Sequence, residues 1–70
     1  MPLTVEVEQE VDGRWLAEVP ELPGVLVYGQ SRQEAIDRVQ AFSLRVLAER
    51  LDHGEPLPQL ANVFALPFTP

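Results

Sequence analysis

The sequence predicts an α+β fold: a three-stranded antiparallel meander, one long helix on one face, and a C-terminal fourth strand, in the order β-β-β-α-β. Three observations predict it. The N-terminal segment alternates with period two, proline and glycine breaks divide residues 12–29 into short apolar runs, and from Ser31 to Leu51 apolar residues recur at spacings of three and four.

In Leu3-Thr4-Val5-Glu6-Val7-Glu8-Gln9-Glu10, Leu3, Val5 and Val7 fall on one side and Thr4, Glu6, Glu8 and Glu10 on the other, as in a half-buried strand. Asp12-Gly13 offers a residue pair that tolerates positive φ in a tight hairpin, and Arg14 to Val19 continues as a second strand. Trp15, Ala17 and Val19 then share the side that the helix covers, with Leu16 and Glu18 on the other. Pro20 and Pro23 lack backbone donors, so Pro20-Glu21-Leu22-Pro23-Gly24 is a connecting loop and Val25-Leu26-Val27-Tyr28 is the third strand. Connections this short favour antiparallel neighbours.

Ser31 and Glu34 stand in the S-x-x-E capping-box arrangement, which starts the helix. Ala35, Ile36, Val39, Phe42, Ser43, Val46, Leu47 and Leu51 form one stripe, and Leu44 widens it beyond what a small sheet normally covers. Either a second subunit or the C-terminal segment covers the excess. His53-Gly54, with Pro56 and Pro58 close behind, ends the helix, and Asn62-Val63-Phe64-Ala65-Leu66 reads as a fourth strand, parallel to the first.

Seventy residues make one domain, 1–70, and a chain of this length hides only roughly 60% of its unfolded surface. With no cysteine and a single histidine, neither a disulfide nor a zinc cluster reinforces it, so a homo-oligomer, dimer or larger, is expected. Eleven carboxylates against five arginines and no lysine give a net charge of -6. That balance repels a phosphate backbone and an anionic membrane and favours a basic protein partner, so direct nucleic-acid and membrane binding are not expected. There is no leader-like N-terminus and no apolar run of the roughly 18 residues a span needs, which makes the cytoplasm the default location.

No residue set assembles a reaction centre. Glu6, Glu8 and Glu10 resemble a metal-binding carboxylate row, but they are what a solvated strand face shows. His53 suits the negative end of the helix dipole. Ser31 and Ser43 are cap and helix residues outside any nucleophile elbow, and Gly24 and Gly29 form no phosphate loop. No catalytic residue, metal or cofactor is assigned. The candidate partner-binding residues are Glu6, Glu8, Leu16, Glu18, Leu26 and Tyr28, an apolar centre with an acidic rim on the side of the sheet away from the helix.

Asp12-Gly13, Val19-Pro20-Glu21-Leu22-Pro23-Gly24, Gln30-Ser31 and Glu34-Ala35 occur here in the order and spacing seen in HicB-type antitoxins, and the chain resembles that family from about Leu3 to Pro58. The resemblance implies a truncated RNase H-like fold without nuclease carboxylates, and a non-enzymatic protein that occludes a small basic HicA-type toxin that cleaves messenger RNA. Many members continue into a helix-turn-helix or ribbon-helix-helix domain, whereas this sequence stops at Pro70, so binding to DNA is not expected. Two other readings are a structural, oligomerisation or small-ligand-binding module, and a residual metal-dependent nuclease.

Overall fold

The computed structural model describes residues 3–60 together with Val63, Phe64 and Pro67. It has three strands, β1 (Glu6–Gln9), β2 (Trp15–Glu18) and β3 (Leu26–Gly29), then helix α1 (Arg32–Asp52) and a 3-10 turn at Pro58–Leu60. The sheet is antiparallel throughout, with β2 central. Its register stacks Val7, Ala17 and Val27 in one row and Gln9, Trp15 and Gly29 in the next. Side chains in a strand alternate between faces, so this register fixes which of them α1 covers. Ala17, Val19 and Val25 are buried with Ala35, Val39 and Leu47 of the helix, and Trp15 packs against them. The expected α+β meander and helix are therefore present. The expected fourth strand, Asn62–Leu66, falls mainly outside the described residues; of that segment Val63 and Phe64 are seen, both exposed in a turn.

The first hairpin departs from expectation. Gly13 alone has positive φ, +93°, and Asp12 does not share it. The Glu10 N–H donates to the Arg14 carbonyl and the Gly13 N–H to the Glu10 carbonyl, so Val11, Asp12 and Gly13 form a three-residue loop with glycine at its left-handed position. The Asp12 carboxylate accepts from the Arg14 N–H and guanidinium, which holds its pKa below the ordinary value.

The loop between β2 and β3 supplies a core residue that alternation does not reveal. Leu22 is fully buried, and backbone bonds from Leu22 to the Val19 carbonyl and from Val25 to the Leu22 carbonyl fold the loop inward around it. Glu21 anchors the same loop to the approach of β1 by accepting the N–H and the hydroxyl of Thr4, at 3.0 and 2.6 Å.

At the start of α1 the Ser31 hydroxyl accepts the Glu34 N–H, while the Glu34 carboxylate accepts the N–H of Gln30 rather than that of Ser31. Just before it, Gly29 lies so close to the helix that an added Cβ would stand 2.5 Å from the Ala35 nitrogen and 2.9 Å from its Cα. The far end closes with His53 as the cap residue. The Gly54 N–H donates to the Leu51 carbonyl and the Glu55 N–H to that of Arg50, with Gly54 at φ +74°. His53 Nδ1 lies 2.7 Å from the Glu49 carbonyl oxygen, consistent with the capping role.

A helix of 21 residues is about 31 Å long at 1.5 Å per residue, more than twice the span of four-residue strands. Leu3 and Val5 before the sheet, and Leu57 and Leu60 after the helix, add partly buried contacts to the core. Leu44 and Leu51 still stand 65% and 49% exposed. The segment after the helix therefore supplies part of the cover expected over the stripe, and Leu44 lies beyond it.

Gly29→Ala is expected to destabilise the fold by about 1–3 kcal/mol through overpacking against helix backbone. Urea unfolding checks this, and an unchanged midpoint would contradict the close approach. Bonding to Thr4 holds the Glu21 pKa below its ordinary 4.5. The associated stabilisation is present above the unfolded-state pKa and is lost as pH falls through the folded-state value. In Thr4→Val, a carboxyl-carbon NMR titration should show the Glu21 pKa rising toward 4.5.

Candidate interaction face of the sheet

The face of the sheet turned away from α1 is built by the same period that fills the core. Glu8, Leu16 and Tyr28 are cross-strand neighbours in one row, and Glu6, Glu18 and Leu26 in the next. All six residues singled out in the sequence thus come together on one face. Leu26 and Tyr28 are 44% and 37% exposed, Leu16 is half-buried, and the three glutamates are exposed. Glu6, Glu8, Leu16 and Glu18 line a shallow concavity of about 230 Å³.

Arg14 is a member of this face that sequence reasoning missed. Its guanidinium lies 4.2 Å from the centre of the Tyr28 ring and is held by Asp12 at 2.8 Å. The stack fixes the aromatic ring at one end of the patch, a cation–π contact worth roughly 0.5–1 kcal/mol at an exposed site. The signal was available: Arg14 has the same strand parity as Leu16 and Glu18, and Tyr28 lies one row along on the neighbouring strand.

Electrostatically the face is unbalanced. Glu6 is directly opposite Glu18, a like-charge cross-strand pair that weakens a sheet. Among the described residues the ion pairs are Arg14 with Asp12 and Arg38 with Glu34, so none neutralises Glu6, Glu8 or Glu18. A face with leucines and a tyrosine between uncompensated carboxylates is suited to a surface with apolar knobs and cations. No three metal-ligating side chains gather among the described residues. His53 stays at the helix end, away from this face, and buried Ser43 donates its hydroxyl to the Val39 carbonyl at 2.7 Å.

Together, fold and face define a small α+β module whose sheet is covered by a helix on one side and left open by the described residues on the other. The chain matches no family model, no curated protein and no solved structure. No described helix is long and apolar enough to cross a membrane.

The like-charge pair yields a prediction of two opposite signs. Glu18→Gln should raise folding stability by roughly 0.2–1 kcal/mol, because it relieves repulsion across the strands. The same change should weaken the attraction of this face for a cationic peptide, and thermal unfolding alongside calorimetric titration with oligolysine measures both effects.

Proposed function

We propose that this protein is a non-enzymatic HicB-like antitoxin, or a domain derived from one, which binds a small basic toxin of the HicA type through the open sheet face and occludes it. The observation that carries this reading is the meeting of Glu6, Glu8, Leu16, Glu18, Leu26 and Tyr28 in two adjacent rows of one face. Carboxylates around an apolar centre steer a cationic partner in and then exclude water from the contact, which supplies association rate and complementarity together. The motif residues that carry the family resemblance support it in a different way. Gly13 turns the first hairpin, Leu22 fills the core from the Pro20–Gly24 loop, and Ser31 and Glu34 cap the helix.

The same reading extends the fold to the truncated RNase H-like form, with an apolar fourth strand running parallel to β1. A groove of about 310 Å³ lined by Leu3, Val5, Val19, Gln40, Ser43 and Leu44 runs along that side of the helix and supports such a placement. Covering it would remove the exposed Leu44 from water. Homo-oligomers formed around the same stripe belong to this proposal.

A residual metal-dependent nuclease is the second reading, prompted by the glutamates on the open face, although among the described residues no three of them come close enough together to hold a metal. Incubating the pure protein with labelled RNA and manganese separates the two: cleavage above a buffer control supports the nuclease, and its absence removes it.

Reversing Glu6, Glu8 and Glu18 together to lysine is expected to weaken toxin binding by about a hundredfold or more, since it replaces three attractive charges with repulsive ones. Calorimetric titration with a HicA-type toxin measures this, with circular dichroism confirming that the variant is folded. Unchanged affinity would show that the sheet face is not the binding surface and would move the contact to an exposed strand edge.

A further inference from the structure

The flank of the molecule beside β3 has the reverse electrostatic character. Between the β3 edge and α1 runs an open groove of about 680 Å³ lined by Val27, Tyr28, Arg38, Ala41, Phe42 and Arg45. Positions 38, 41, 42 and 45 lie on one flank of the helix by their three- and four-residue spacing. In a chain with only five cations and a net charge of -6, two arginines thus share one groove. Arg45 forms no ion pair among the described residues, and Arg38 is only loosely paired with Glu34, at 3.5 Å.

The edge beside this groove is open. The Val19 N–H donates to the Val25 carbonyl, so Val25 faces β2. Antiparallel alternation then turns the backbone groups of Leu26 and Tyr28 away from the sheet. Arg38 confirms the direction by donating from Nη1 to the Tyr28 carbonyl at 3.0 Å. Outward-facing edge groups, of which the Tyr28 carbonyl is held by a side chain and not by a strand, are a template for an added strand.

We propose that this groove docks an extended acidic peptide segment of another protein, which adds to the β3 edge as a further strand. Its carboxylates face the helix and meet Arg38 and Arg45, with their methylenes lying over Ala41 and Phe42. Its alternate, apolar side chains extend the Leu26 and Tyr28 patch on the other face. Arg38 moves from the Tyr28 carbonyl to a peptide carboxylate, a charge-assisted bond stronger than the one it leaves. Charge decides this occupant over the others. A second copy paired edge to edge about a twofold axis would set Arg38 and Arg45 against their own equivalents. The chain's own residues beyond Glu55 include no Asp or Glu. This docking site does not rest on the acidic-face reading: it shares Tyr28 with that face, but its charge is carried by Arg38 and Arg45, which that face does not include.

Fluorescence anisotropy with a labelled peptide of four Glu-Val repeats tests it on the full chain. Saturable binding is expected, weakening as salt is raised. It should fall at least tenfold in Arg45→Glu, stay within twofold in Arg50→Glu, and be absent for the corresponding Lys-Val peptide. Amide exchange gives a second readout. The Leu26 and Tyr28 amides should exchange fast in the free protein and become protected when the Glu-Val peptide binds. Failure of the peptide to bind, or equal loss in both arginine variants, would overturn the proposal. So would amides already protected without peptide: protection that rises with protein concentration would identify a second copy as the occupant, and protection independent of concentration the chain's own tail.

Discussion

The structure depends on the close approach of β3 to the first turn of α1. Glycine is the only residue type that fits at position 29, because the Cβ that Gly29 lacks would occupy the space of the Ala35 backbone. The cap at Ser31 and the bond from Gln30 to Glu34 hold the chain at the same point, so direction and distance are set within a few residues. With the helix anchored there, Ala35, Val39, Ser43 and Leu47 come down in sequence on the inner side of the sheet. The outer side is left with no element of the described chain to cover it.

In a protein this small, that arrangement has two consequences. The core draws on residues outside the regular elements, such as Leu22 in the β2–β3 loop and Leu57 and Leu60 beyond the helix, because four-residue strands cannot cover a helix of 21 residues. The uncovered sheet face keeps Glu6 against Glu18, which opposes folding. That feature makes physical sense where a cationic surface offsets it, and it links the stability of the free chain to the function proposed for it.

Charge is distributed over the molecule with a direction that net charge conceals. Uncompensated carboxylates lie on the outer face, and the flank between β3 and α1 has Arg38 and Arg45. Arg14, the cation on the acidic face, is stacked on Tyr28 and paired with Asp12, so it orders the aromatic ring more than it neutralises the patch. The two charged surfaces meet at Tyr28, which lies in a row with Leu16 and Glu8 on one and lines the arginine groove on the other.

Much of this was legible in the residues alone because it rests on local periodicity. Alternation in Leu3 to Val7 and from Trp15 to Val19 assigned each side chain its face, and the capping box and His53-Gly54 marked the helix ends. The six face residues were likewise readable, since parity along each strand is preserved whatever the register. Long-range geometry decided the rest. Which glutamates oppose each other depends on register, and Arg14 meets Tyr28 only because two strands pair. Leu22 is buried because a loop folds inward, and Gly29 is required because a helix backbone arrives beside it. Each of these is a contact between segments distant in sequence or outside a repeating pattern, and period and composition specify only what neighbours along the chain do to one another.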